Sequence, residues 1–235
     1  VAWGALLLAW LLPLAPPSVT VAVVDPGVGT QRRALAVACA GGRLLVGPDN
    51  GLLAPAAHAL GIAAVVELWS ELHRLHPVAP TFHGLHVFAP AAAHLACGGA
   101  LGDLGPGVEP ASLVVPALPA ARVAPGRVET AVLARDRFGN LALAGGAREL
   151  AAAGLQPGQR VAVTAAGRRH AAQVGRIFGD VGAGELLVHV DSHGLIALAV
   201  NGGSAAERLG AGAGAAVVVE EAPARAPTQG QPLTM

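Results

Sequence analysis

Lysine and tyrosine are absent from these 235 residues, and aromatic side chains of all kinds make up only 3%. All fifteen basic residues are therefore arginines, balanced by fifteen acids for a formal charge of zero. A neutral chain offers no electrostatic footprint for nucleic acid or for an anionic membrane. Abundant alanine beside the missing lysine points to biased coding-DNA composition, so arginine in place of lysine carries no functional signal. Only two cysteines occur, Cys39 and Cys97, with no CxxC spacing. That excludes a thioredoxin-like centre and a thiolate metal site, and it predicts a reduced, cytoplasmic chain. No phosphate loop of the GK[ST] kind and no GxSxG elbow is present, which removes the commonest nucleotide and serine hydrolases. The apolar run from Trp3 to Leu14 falls short of the roughly 20 residues a span requires, and no basic residue precedes it as a secretory leader would demand.

What is present fits a folded protein. Hydrophobic residues make up 53% and charged residues 13%, enough to bury a core in each of two domains. Short β-branched runs alternate with alanine-rich stretches through residues 19–104, the pattern of an α/β layer with a central, mostly parallel sheet and flanking helices. Strands are predicted over residues 19–24, 34–38, 43–46 and 62–68, and helices over 51–60 and 90–97. Five prolines, Pro106, Pro110, Pro116, Pro119 and Pro125, forbid a long helix and mark a linker at 106–125 between domains at 1–105 and 126–221. Past the linker the texture changes to short strands between glycine turns, predicting a small antiparallel β-barrel. Ser204 is placed to cap a short helix. Residues 222–235 have little to bury and are expected to be disordered.

The most informative stretch is Asp25-Pro-Gly-Val-Gly-Thr-Gln-Arg32-Arg33. A strand of buried character runs into an acid, a glycine turn and two cations, and strand ends feeding such turns are where α/β proteins keep their sites. Pro26 fixes one dihedral and Gly27 and Gly29 permit the rest, so the turn presents Asp25 and Arg32 toward one spot. Three further clusters join polar residues to glycine: Gly47-Pro-Asp49-Asn50-Gly51, Thr81-Phe-His83-Gly84 and Asp136-Arg-Phe138-Gly-Asn140. Each alone also reads as an ordinary turn. The HxxH pairs His73/His76 and His83/His86 could share a helix face only if Pro77 and Pro80 did not interrupt it, and no third ligand is spaced to join them. No metal is expected.

In combination these clusters resemble the S-adenosylmethionine (SAM) hydroxide adenosyltransferases, or SAM hydrolases, which are related to the SAM-dependent chlorinase and fluorinase. VVDPGVGTQRR, GPDNGLL, TFHG with FAPAAAHLA, RFGN, GELLVHVDSHG and ALAVNGGSAAERLG stand in family order. The resemblance implies an α/β domain, a barrel-like domain, and a homotrimer that binds SAM between one subunit's first domain and its neighbour's second. It implies a catalytic triad of Asp25, Arg32 and His83. SAM is then the substrate, with no separate cofactor. By the same resemblance Asp136 meets the methionine ammonium, Ser192 its carboxylate and Asn140 the adenine edge, with Phe138 and Phe178 packing near the base. A SAM-dependent halogenase is the first alternative, opposed by Asp25 and His83, since the halogenases are similar but carry an aromatic and a small residue there. A non-catalytic trimer that binds SAM or adenosine is the second. The family's opening strand, with its Thr-Asp-Phe-Gly motif, has no counterpart, and the residues before Pro17 match the helix that follows it, so the chain is expected to be truncated. Leu85-His86 stands where the family has Arg-Asp, and Asp191 where it has Asn.

Overall fold

A computed structural model describes residues 1–222 of the chain; most of the tail expected to be disordered lies outside the described residues. The chain forms two compact units that divide between Leu118 and Pro119, within the proline-rich stretch.

The first unit opens with α1 (Ala2–Leu11), followed by strands β1 (Val19–Val21), β2 (Ala34–Cys39) and β3 (Arg43–Pro48), then α2 (Ala54–Leu60), β4 (Ile62–Glu67) and α3 (Ala89–Ala96). The strands lie in the order β1-β3-β2-β4. Alternate residues of β2 point to opposite faces. Leu35, Val37 and Cys39 join α2 and Leu12 in one apolar cluster. Ala36 faces a second cluster with Val87, Phe88 and Leu95 from α3 and the turn before it. Burial on both faces is the α/β layer that the sequence predicts.

The strand directions correct the expectation of a mostly parallel sheet. Only β1 and β3 run parallel, whereas β2 is antiparallel to both β3 and β4. The cause is the turn at Ala40–Gly42, where Gly41 and Gly42 take φ of 70° and 73°, conformations that let β2 fold straight back into β3 as a hairpin. The strand expected over 19–24 also ends early. Its ladder continues only to Ala22, whose N–H donates to Val46 O at 2.9 Å. Within the proline-rich stretch, Val108 N–H donates to Val65 O at 2.9 Å, and Leu113 is buried in the first unit's core.

The second unit comprises β5 (Arg122–Ala124), β6 (Arg127–Arg135), β7 (Leu141–Gly146), α4 (Ala147–Ala152), β8 (Arg160–Ala165), β9 (Arg168–Val174), β10 (Leu186–Val190), β11 (Leu195–Val200), α5 (Ala205–Leu209) and β12 (Ala216–Glu221). The ladder β12-β8-β9-β10-β11-β7-β6 closes when β6 pairs with β12, and β5 hangs on the outside of β6. This is a closed seven-stranded barrel, antiparallel except for the β9–β10 pair. Inward-facing Val128, Leu141, Val163, Leu186, Ile196, Leu198 and Val219 fill it. At α5, Ser204 accepts a hydrogen bond from Glu207 N–H at 3.2 Å, the cap its sequence position predicts. Among the described residues no helix is long and apolar enough to cross a membrane.

Candidate active site

The turn after β1 and the turn before α3 meet in the first unit. Arg32 Nε donates to both oxygens of Asp25 at 3.0 Å, and Arg32 Nη2 lies 2.5 Å from Asp25 Oδ2. On its other side Nη2 stands 3.0 Å from Nδ1 of His83. The sequence-predicted acid, guanidinium and imidazole are thus in one hydrogen-bonded chain, with the side chains of Arg32 and Asp25 only 10% and 5% exposed.

The local structure explains the convergence. Thr30 Oγ1 donates to Gly27 O at 2.7 Å, closing the turn on itself. Gly29 has φ of 77°, and a β-carbon there would sit 2.8 Å from Pro80 O. Only glycine lets the two turns approach so closely. His83 stands at the N-terminal boundary of a π-helical turn, Gly84–Phe88, that runs directly into α3, so its ring is carried at the head of a continuous helical rod.

A guanidinium only donates, so the lone pair on Nδ1 must receive Arg32 and the neutral ring carries its proton on Nε2. Burial pushes the His83 pKa below its ordinary 6.5, and the adjacent Arg32 charge pushes it further, with Asp25 opposing. The imidazole is therefore neutral at pH 7. Sequence reasoning assigned no role to Phe88, whose fully buried ring lies 5.1 Å below the Arg32 guanidinium. The signal was the apolar residue in FAPAAAHLA. A cation seated on a buried aromatic face is attracted to it and shielded from water there.

The residues expected to hold the substrate lie in the second unit, and their bonding is local. Asp136 Oδ1 accepts from the backbone N–H of Phe138 and Asn140 at 2.8 and 2.9 Å, and its Oδ2 accepts from Asn140 Nδ2 at 2.7 Å. Phe138 and Phe178 are 63% and 45% exposed, the first beneath the Arg137 guanidinium and the second beside the His189 ring. Ser192 is exposed in the turn after β10. Asp191, the departure from the resembled pattern, accepts from His193 N–H and Leu195 N–H at 2.8 and 3.0 Å through one oxygen, which an asparagine would do equally well.

The two HxxH pairs diverge. His73 packs on His94 at 4.2 Å between ring centroids, while His86 Nδ1 lies 3.1 Å from Phe82 O. Among the described residues no three His, Cys, Asp or Glu side chains are grouped to hold a metal ion.

Comparisons with known proteins agree with this architecture. Family models described as the SAM hydroxide adenosyltransferase N-terminal domain and C-terminal domain match residues 1–105 and 130–218. A protein of Salinispora tropica named (R)-S-adenosyl-L-methionine hydrolase is 50% identical over 208 residues, covering 88% of this chain and 76% of that protein. A protein of the same name from Salinispora arenicola is 49% identical over 209 residues, with the same coverages. A crystal structure of an uncharacterized conserved protein from Thermotoga maritima superposes with a TM-score of 0.82 at 32% identity, covering 93% of this chain and 83% of that one.

Proposed function

The chain belongs to the SAM hydroxide adenosyltransferase family, and from that premise we propose that it hydrolyses S-adenosyl-L-methionine to adenosine and L-methionine. Water attacks the ribose C5′ carbon, the C5′–S bond breaks, and sulfur leaves with the electron pair as the neutral thioether of methionine. The observation that carries the proposal is the Asp25–Arg32–His83 chain, in which Arg32 bonds Asp25 of its own turn on one side and reaches His83, 51 residues on, on the other. Its residues are the catalytic triad.

Arg32 does not hold free hydroxide. Bringing the pKa of water from about 15.7 to about 7 costs roughly 12 kcal/mol at 1.36 kcal/mol per unit, beyond one guanidinium. The proton instead leaves as the C–O bond forms. His83 Nδ1 takes it, and the Arg32 donor that faced Nδ1 passes to the oxygen that is gaining negative charge. Asp25 holds Arg32 in place and offsets the charge on the imidazolium. Because the leaving group departs uncharged, it calls for no Lewis acid. The positive charge concentrated on the sulfonium spreads toward the imidazole on the way to the transition state, so a site that excludes the water that would stabilise the starting cation favours the step.

Asp136 supplies an anion for the methionine ammonium and Ser192 a hydroxyl for its carboxylate. The amide of Asn140 suits the edge of adenine, and the exposed faces of Phe138 and Phe178 suit its ring. We assign these groups to a neighbouring subunit in a homotrimer, where one subunit's first unit shares each SAM with the next one's second. Uncovered Trp69, Leu72 and Phe82, at 62%, 92% and 56% exposure, support a further subunit against the segment that carries His83. The exposed free thiol of Cys97 suits a reducing cytoplasm.

The test is incubation of purified protein with SAM in oxygen-18 water, followed by chromatography and mass spectrometry. Adenosine labelled at its 5′ oxygen, in equal amount to methionine, is the expected result. A 5′-halo-5′-deoxyadenosine formed only with halide would make the protein a halogenase. Adenosine released no faster than in buffer would make it a binding protein.

A further inference from the structure

Asp49 and Asn50 occupy the one cluster singled out in the sequence that the catalytic assignment leaves without a role. The structure places this adjacent pair at both flanks of the 25–32 turn. On the leading flank, Asn50 Nδ2 donates to the carbonyl of Val24 at 2.9 Å, one residue before Asp25. On the trailing flank, Asp49 N–H donates to the carbonyl of Arg33 at 2.9 Å, one residue after Arg32. The Arg33 side chain returns the contact, with Nε and Nη2 at 2.8 and 2.5 Å from Asp49 Oδ2.

The pair is itself anchored. Asp49 Oδ1 accepts from Val114 N–H at 2.9 Å, Asn50 Oδ1 accepts from Leu52 N–H at 3.2 Å, and Arg33 reaches Ser112 through both terminal nitrogens. The Asp49 side chain is 4% exposed. A buried ion pair is a poor way to gain stability, because well-packed apolar residues of similar size do as well or better. What it supplies is fixed geometry. The loss of the β1 ladder beyond Ala22 fits the same account, since Asn50 captures the Val24 carbonyl two residues on.

We propose that Asp49 and Asn50 are positioning residues for the reaction, clamping the two ends of the catalytic turn so that the Asp25 carboxylate and the Arg32 guanidinium meet His83. The inference rests on the hydrolase reading for its kinetic consequence, but its geometric consequence stands apart. Displacing a catalytic group by about 1 Å costs as much as a hundredfold in rate.

The experiment compares wild-type protein with Asn50→Asp, which keeps the oxygen facing Leu52 and removes the donor to Val24, and with Arg33→Lys, which loosens the trailing flank without removing its charge. Steady-state SAM hydrolysis is read alongside an NMR titration of the His83 ring. The expected result in Asn50→Asp is a fall in kcat of at least tenfold with KM within about twofold. Arg33→Lys should give a smaller fall. The His83 titration should move up toward 6.5 in both, because retreat of Arg32 removes more repulsion than the departing Asp25 removes attraction, while Arg74 and His86 stay. Folded variants with wild-type kcat and an unmoved His83 titration would overturn the inference, even if their Tm falls, since that pattern marks a merely structural contact. If the wild-type protein fails to hydrolyse SAM, the hydrolase reading falls and the titration alone decides the clamp.

Discussion

The turn at 25–32 and the turn at 136–140 both open on an aspartate and contain glycine, yet their aspartates are held in different ways. In the first, the aspartate is bound by Arg32, which reaches His83 across a long stretch of chain. In the second, both oxygens of Asp136 are used within its own loop. The first turn's side-chain bonds run out to a distant part of its unit, whereas those of the second stay within the loop, which meets α5 through the backbone, Ala206 N–H donating to Gly139 O at 2.9 Å. Reaction chemistry needs several groups at a common point, which only tertiary contacts can arrange; recognition of a substrate can be assembled from short loops that each present one group.

Substitutions can break that contrast. Asp25→Asn and His83→Ala should each lower turnover by about a thousandfold, within the range for removing a positioned acid–base group, with SAM affinity nearly unchanged. Product formation measured by chromatography and binding by calorimetry check both halves. Gly29→Ala comes next. Its strained φ and the 2.8 Å approach to Pro80 O would push the two turns apart, and kcat should fall roughly ten- to a hundredfold.

In the second unit the sign of the effect changes from kcat to KM. Phe138→Ala removes one exposed stacking face, and with stacking worth about 1–3 kcal/mol per base, KM should rise roughly tenfold while kcat holds. Acid sharpens the contrast in another way. His83 must be neutral to accept a proton, and its pKa is held below 6.5, so activity persists above that value and is lost only as pH falls through a lower one. A kcat/KM profile with its acid limb at or above 6.5 would contradict the geometry. The smallest effect is expected at Ser204→Ala, which removes the α5 cap at about 1 kcal/mol and should lower Tm without altering kinetics.

Much of this was legible in the residues themselves. The start of β1 at Val19, the helix opening near Pro90, the cap at Ser204 and the barrel texture beyond the prolines all follow from local patterns, whereas the strand expected to run into Asp25 stops short of it. The direction of β2 was missed, although Gly41-Gly42 between two apolar runs is a hairpin signal. The pairing of Asp25 with Arg32 was legible in their shared turn, but His83 joined them only through a family resemblance, because nothing local tells a half-buried His83 that Arg32 will face it. The partnership of Arg33 with Asp49 was hidden for the same reason. Both residues read as solvated turn groups until the fold buries one against the other.

The closing pair of the barrel has a consequence for synthesis. Strand β12, from Ala216 to Glu221, seals the ring by pairing with β6 and β8 at once. A nascent chain leaving the ribosome can assemble its first unit as soon as Leu113 has emerged, but the second has no sealed interior until its last strand is made. During that interval β6 and β8 wait with bare edges, and it is there that a chaperone would have work to do.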